Sequence, residues 1–354
     1  MMKTMQKTIS NLPVEEKSLN PLLKANVKAV GLISGGLDST LAAKIIKDLG
    51  VEVYGVYFSM PWGCCDKTKA IEAAMNLGIH FIVRQLDERY LEMVKSPRYG
   101  YGSALHPCVD CRIHMFSRAG HYMREIGADF IFTGEVLGQR PMSQLRPSLK
   151  KIEEGSGLEG RLLRPLCAQL LDPTIPEQEG LIDREKLLKI TGRSRKEQLS
   201  LADKLNIKDF SPPAGGCLLT DQNFANRMKD IFKHGYRDFR ETIALKWGRH
   251  FRLNEHFKVI LGRDQKENES LIPYAHKDDW IMRLPQNMGP TLILKGYNPT
   301  QEIFSIAAGL IQRFSKFKNE IPQPIEYWAV NNKAEKNIVT AKILKDEEIE
   351  KMRI

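Results

Sequence analysis

Val27-Lys28-Ala29-Val30-Gly31-Leu32-Ile33-Ser34-Gly35-Gly36-Leu37-Asp38-Ser39-Thr40 is the stretch whose reading decides the fold. Its first seven residues are mostly apolar, as a buried strand requires, and an apolar-periodic run over 41–49 follows. Strand, glycine turn and helix start therefore succeed one another without a gap. Gly35 and Gly36 permit positive φ and let bare N–H groups approach an anion. Ser34, Ser39 and Thr40 add hydroxyl donors, and the helix N-terminus adds partial positive charge. Such a loop is suited to holding phosphate; the plainer alternative is an ordinary strand-to-helix turn. It is not the G-x-x-x-x-G-K-[ST] loop of kinases and GTPases, since that pattern and its lysine are absent.

Outward from this loop, residues 51–59, 80–86 and 129–133 read as strands, and 65–77, 87–94 and 113–126 as helices. The alternation predicts an α/β fold, a doubly wound parallel sheet with ligands at the carboxyl ends of its strands. Thr133-Gly134-Glu135 falls at such an end. Residues 148–161, charged and glycine-containing, are expected to form a mobile loop, 161–168 a strand and 194–205 a helix. The Pro/Gly stretch 211–217 is expected to close this domain. Beyond 220, a helix over 224–244 gives way to short apolar segments at 256–261, 280–284 and 291–295, then a helix over 303–314. That pattern predicts a second, smaller α+β domain. The expected organisation is a disordered tail at 1–26, a domain built around the glycine loop at 27–220, a second domain at 225–330 and an extension at 331–354. In the extension, lysines interleaved with acids read as a solvated helix.

At 354 residues the chain has room for two or three domains, and 42% hydrophobic with 27% charged residues is ordinary for a globular protein. A net charge of +10 favours a polyanionic partner, nucleic acid being the commonest. Residues 225–354 hold 23 Lys and Arg against 17 Asp and Glu, more than half of that excess. No apolar run is long enough to span a bilayer, and residues 1–26 lack the apolar core of a secretory signal. No membrane association and a cytoplasmic setting are expected. Six cysteines are too few and scattered for a disulfide scaffold, so free, catalytic or metal-binding thiols are expected.

Cys108 and Cys111 form a CxxC pair after His106-Pro107, with Cys217 far downstream. Two thiols at that spacing can share a metal or a disulfide. Three cysteines fit a [4Fe–4S] cluster with an open iron, or a persulfide relay of attacking and resolving thiols. The plainer reading makes them packed residues without chemistry. Cys64-Cys65, after the second strand, are candidates for a redox pair or a simple helix start. Cys167, between Leu166 and Ala168, reads as core, and His106 and His114 as proton carriers or packed side chains.

The segment Ser34-Gly35-Gly36-Leu37-Asp38-Ser39 resembles the S-G-G-x-D-S loop (PP-loop) of enzymes that split ATP into AMP and pyrophosphate. Asp38 suits that loop, because a carboxylate beside a triphosphate is tolerated when Mg²⁺ lies between them. Thr133-Gly134-Glu135-Val136-Leu137-Gly138-Gln139, followed by Ser143-Gln144, resembles the T-G-E-x-L-G-Q…S-Q element of the tRNA 4-thiouridine synthetase family. Arg140 and Arg146 flank it, and the likeness covers about residues 27–217. Relatives that make 2-thiouridine share the PP-loop, and their cluster-dependent members have a CxxC plus a later cysteine, matched by Cys108, Cys111 and Cys217. Further on, the stretch 259–269 (V-I-L-G-R-D-Q-K-E-N-E), Asp279-Trp280 and Gly289 resemble the RNA-binding domain of the NFACT proteins, over about 225–325. The 4-thiouridine enzymes carry their RNA-binding region before the PP-loop domain; here it is expected after it.

The resemblance implies an ATP-dependent RNA sulfurtransferase, with tRNA as the expected RNA. A uridine carbonyl oxygen would be adenylated and replaced by sulfur, with AMP and pyrophosphate released. Ser34, Gly35, Gly36, Asp38 and Ser39 would bind ATP, with Asp38 also near Mg²⁺, and Thr133 and Gly134 would line the pocket. Cys108, Cys111 and Cys217 would handle sulfur from a protein persulfide or sulfide, or hold the [4Fe–4S] cluster. Two other readings stay open: a PP-loop ligase adenylating a carboxylate or amide of a small molecule, and a nucleotide-sensing RNA-binding protein. The modified base and the oligomeric state are left open.

Overall fold

The computed structural model describes residues 26–354 except 61, 64–66, 212–215 and 237. The expected N-terminal tail and Cys64-Cys65 lie outside the described residues. The first domain runs β1 (Lys28–Leu32), α1 (Leu37–Asp48), β2 (Glu52–Ser59), α2 (Lys67–Leu77), β3 (His80–Gln85), α3 (Glu88–Lys95), α4 (Cys108–Glu125) and β4 (Phe130–Thr133). It continues with α5 (Arg146–Ser156), β5 (Leu162–Leu163), a short α6 (Ile175–Gln178) and α7 (Lys196–Lys204). The five strands are parallel in the order β3-β2-β1-β4-β5, so the winding reverses at β1. A doubly wound sheet opens its ligand crevice at such a reversal.

Both sheet faces are covered, which is why β1 and β4 read as continuous apolar runs rather than alternating ones. On one face Leu37, Leu41 and Ile46 of α1 and Ala202 of α7 pack on Phe130 and Phe132. On the other, Tyr90 and Leu91 of α3 and Met115, Phe116 and Ala119 of α4 form a second core with Trp62.

Three local expectations differ from what is observed. α4 begins at Cys108, not 113, so both cysteines of the CxxC pair sit on its first turn. Its start carries little apolar periodicity; it is held by buried Asp110, whose carboxylate accepts from the N–H groups of Arg98 (2.9 Å) and Tyr99 (3.0 Å). The expected mobile loop at 148–161 is mostly α5, which buries Leu149, Ile152 and Ser156 and ends on left-handed Gly157. Its charges outnumber a narrow apolar stripe, so periodicity alone did not expose it. The expected strand at 161–168 shrinks to two residues, Leu162 and Leu163.

The expected helix at 224–244 is two: α8 (Gln222–His234) and α9 (Glu241–Ala244), parted at Gly235, whose φ is +85°. Then follow β6 (Arg249–Arg252), β7 (Lys258–Leu261), α10 (Gln265–Leu271), β8 (Trp280–Arg283), β9 (Leu292–Lys295), α11 (Gln301–Arg313), β10 (Pro324–Ala329), β11 (Asn337–Thr340) and α12 (Asp346–Met352). The six strands form a separate sheet, β11-β10-β8-β9-β7-β6, with antiparallel pairing throughout. α11 buries Ile303, Phe304, Ala307 and Leu310 against it. The stretch expected as a solvated helix supplies edge strand β11 and α12, with Val339 and Ile349 in this core.

α8 joins the two sheets. Its apolar face, Phe224, Ala225, Met228 and Ile231, lies in the core around Trp62 and Tyr90. From its other side Asp230 accepts from Arg252 Nε (2.9 Å) and Nη2 (2.6 Å) and from Lys258 Nζ (2.8 Å). Lys258 is buried, and that burial pulls its pKa from the ordinary lysine value down to about 8, against the pull of Asp230.

Two outcomes follow from this junction. Asp230→Asn leaves Lys258 buried without its carboxylate and should cost about 3–5 kcal/mol in urea denaturation. Lys258 has a folded pKa below its unfolded one, so its burial penalty is complete below pH 8 and fades as pH rises from about 8 to about 10.4. The stability of wild type relative to Lys258→Met should therefore rise across that window; a flat difference would refute the assignment.

Candidate nucleotide and thiol site

Leu32, the last residue of β1, stands in register with Thr133, the last of β4. The two loops that follow therefore leave the sheet side by side, at the reversal of winding. In the first, Ser34 and Ser39 Oγ are 3.0 Å apart, Ser34 N–H donates to Ser39 Oγ (3.1 Å), and Ser39 Oγ–H donates to Gly36 O (3.0 Å). Thr40 donates to the same carbonyl from its hydroxyl (3.0 Å) and its N–H (3.1 Å). These bonds fold the loop onto the first turn of α1, which no side chain caps. Its leading N–H groups are left for an anion.

Two glycines are required here by space. Gly35 has φ +73°, and a Cβ on it would sit 2.5 Å from the backbone of Lys69 and Ala70. A Cβ on Gly134 would sit 2.5 Å from Asp38 C and Ser39 N. The Thr133-Gly134 turn is thus in backbone contact with the start of α1.

Asp38 Oδ2 accepts from Gln139 Nε2 (3.1 Å), while its buried Oδ1 has no hydrogen-bond partner among the described residues. Burial raises its pKa; Gln139, Arg195, Arg140 and Gln198 pull the other way. A desolvated carboxylate with one oxygen unmatched is costly unless a cation completes it. Mg²⁺ fits, because it takes one or two carboxylates and otherwise substrate phosphates and water. Gln198 of α7 is fully buried with neither amide atom bonded, and Arg195 Nε is likewise buried and unbonded. Sequence reasoning missed both residues. The available signal was a glutamine in the buried i, i+4 pair that Gln198 forms with Ala202.

On the thiol side, Cys108 Sγ lies 3.3 Å from both ring nitrogens of His106. Burial pushes the Cys108 thiol up, while Arg112, Arg140 and Ser143 act to lower it. One turn further, Cys111 Sγ is 3.2 Å from the Tyr90 hydroxyl. Burial, Cys111 and Cys217 together hold that phenol well above its ordinary value, so Cys217 faces the same group. Two tethers bring Cys217 there: Ser211 N–H donates to Gly35 O (2.9 Å), and Leu105 N–H donates to Leu219 O (3.0 Å). His114 packs edge-on against the Tyr90 ring at 5.4 Å. Cys167 is core, as expected, with its thiol pushed up to about 11 by burial. Buried Glu135 pairs with Arg164 (3.2 Å) and Arg112 (3.5 Å), tying the second loop to α4.

Among the described residues, no group of three His, Cys, Asp or Glu is arranged to hold a metal ion. The three cysteines therefore do not form a compact ligand set, and no step below passes through a cluster. Nor is any described helix long and apolar enough to cross a membrane.

Residues 25–170 match the family model described as thiamine biosynthesis protein (ThiI), and residues 248–353 match that of the NFACT protein RNA binding domain. Both resemblances read from the sequence are thereby shown: a PP-loop domain of the thiouridine-synthetase type, followed by an NFACT-like domain. The tRNA-specific 2-thiouridylase MnmA of Clostridioides difficile is 26% identical over 239 residues, 61% of each chain. The MnmA of Sulfurimonas denitrificans is 34% identical over 113 residues, 30% of this chain and 33% of its own. The chain thus spans less than two thirds of either relative. A solved 4-thiouridine synthetase–RNA complex with bound ATP aligns at 22% identity over 51% of this chain and 52% of that one, with a TM-score of 0.32.

Gly134→Ala should weaken ATP binding by at least about tenfold in calorimetry, because the added methyl drives the two loops apart. Unchanged affinity would show that this contact does not shape the pocket.

Proposed function

We propose that this protein is an ATP-dependent tRNA thiolation enzyme that activates a uridine carbonyl oxygen and exchanges it for sulfur. The observation that carries the reading is Arg140: its positive charge acts on Asp38, on Cys108 and on His106 alike. A phosphate-binding loop and a thiol thus share one electrostatic neighbourhood, as a nucleotide-activated sulfur transfer needs.

Oxide is a poor leaving group, so the base must first be activated. The uracil carbonyl oxygen attacks the α-phosphate of ATP, and pyrophosphate departs. The first-turn N–H groups of α1 and the hydroxyls of Ser34 and Ser39 hold the phosphates. Mg²⁺ at Asp38 would offset charge on the departing pyrophosphate. Gln139 fixes the orientation of that carboxylate. A cysteine persulfide then attacks the activated carbon and AMP leaves. A second cysteine thiolate takes the S–S bond, releasing the thiolated base and leaving a disulfide for an external thiol to reduce. Cys108, half-buried at the start of α4, suits the attacking position, with Cys111 and Cys217 to resolve. The base must leave its stack to reach these groups.

Asp38→Ala should abolish RNA-dependent pyrophosphate release, by at least about a hundredfold. Cys108→Ser should retain pyrophosphate release and lose the thiolated product. Mass spectrometry of total RNA nucleosides from cells with and without the protein should show one missing thionucleoside. RNA-independent adenylation of a small molecule, retained in a triple Cys108, Cys111 and Cys217→Ser variant, would sink the reading in favour of a ligase. Stoichiometric iron in anaerobically purified protein would replace the persulfide relay with a cluster.

A further inference from the structure

A pocket of about 610 Å³ opens in the second domain, between α10, the loop before β9 and the end of α11. Arg263, Arg283 and Lys316 stand at its rim, and Phe314, Met288 and Ile272 supply apolar wall. Arg249 stacks on the Phe314 ring at 4.7 Å.

The lining carries three cations, Arg263, Arg283 and Lys316, against two carboxylates, Asp264 and Glu269. Glu267 is engaged by the Arg263 guanidinium and by the N–H groups of Gly248 and Arg263. Asp264 caps α10 through the Glu267 N–H, and Glu269 accepts from Gln265. Among the described residues, no carboxylate stands within ion-pair distance of Arg249, Arg283 or Lys316. Burial, and after it the charges of Arg263 and Arg353, lower the pKa of Arg249 against the pull of Glu267. Arg283 lies on the Trp328 ring at 4.9 Å with its buried Nε unpartnered, so its guanidinium is already oriented. Beside these cations, Met288 and Ile272 remain 40% and 38% exposed. Gln286 and Asn287, successive non-glycine residues at φ +57° and +59°, shape the rim.

Unmatched cations next to open apolar wall suit a phosphate carrying a flat base. We propose that this pocket binds one nucleotide of an RNA strand, with its phosphate on Arg283, Lys316 and Arg249 and its base on Met288, Ile272 and Phe314. Past the pocket, Arg313 on Phe314 and Arg353 on Phe251 are already paired with Asp346 (2.8 Å) and Glu350 (2.8 Å); a strand is favoured over a free mononucleotide because residues 248–353 match the NFACT protein RNA binding domain. The inference rests on the proposed function only in taking RNA as the partner.

The test uses the full chain and a fluorescein-labelled tRNA transcript, with anisotropy titrations at several KCl concentrations. Lys316→Glu and Arg283→Gln should each weaken binding by about tenfold and flatten the log K against log salt slope by roughly 0.7–0.9. Lys333→Glu, in the exposed β10–β11 turn at the far end of the sheet, should change neither. At saturating tRNA, pyrophosphate release should persist in all three variants, which reports an intact first domain, and thermal melts should report the second. Wild-type affinity in both pocket variants would overturn the proposal, as would an equal loss in Lys333→Glu. Labelled AMP binding that depends on Arg283, with RNA binding unaffected, would overturn the strand in favour of a free nucleotide. A missing thionucleoside in deletion cells together with unaltered pocket variants would sink the pocket and leave the proposed function standing. Absent RNA binding by the wild type would remove both.

Discussion

The nucleotide end of this molecule depends on one steric constraint, the approach of Gly134 to the backbone of Asp38 and Ser39. At 2.5 Å there is no room for a Cβ, so two loops that are distant in sequence share a wall made of main chain. Parallel pairing of β1 with β4 sets the loops side by side, and the glycine lets them close. The first turn of α1 is thereby presented with its N–H groups uncapped and with the carboxylate of Asp38 held against Gln139. The same loop carries Glu135, whose buried pairs with Arg164 and Arg112 transmit that placement to α4 and so to Cys108. Position passes from sheet register to backbone contact to side-chain charge.

A second constraint sets the relation of the two sheets. α8 is apolar on one side and carries Asp230 on the other, so it belongs at once to the core around Tyr90 and to the ion cluster with Arg252 and Lys258. Hydrophobic burial is non-directional and fixes only that α8 covers the first core. The buried ion cluster is directional, because a displaced Asp230 would leave two cations without compensation. Orientation comes from the polar side of the helix.

The order of strands and helices around the PP-loop was legible because each element there is apolar over its full length or on one regular face. The start of α4 was not, since Asp110 rather than an apolar residue holds it and its partners are backbone N–H groups of Arg98 and Tyr99. α5 was obscured by charge: its buried stripe is only Leu149, Ile152 and Ser156. β11 looked like a solvated helix because it is an edge strand with only Val339 turned inward. Gln198 and Arg195 were invisible as site residues, because about 160 positions separate them from Asp38 and neither belongs to a recognisable local pattern.

By itself the sequence determined the resemblance to PP-loop enzymes and to the NFACT RNA-binding domain. Two glycines, hydroxyls and an aspartate between a strand and a helix specify a phosphate cradle, since these local requirements are met by adjacent residues. Three cysteines in a CxxC-plus-one arrangement narrowed the candidates for sulfur handling. Only the tertiary structure decided which groups meet: Gly134 on Asp38, Arg140 near enough to Asp38 and Cys108 to act on both, Tyr90 against Cys111, and Arg249 on Phe314. Those meetings arise from parallel strand register and helix packing. They bring together residues tens of positions or more apart, and nothing in their local sequence records that proximity.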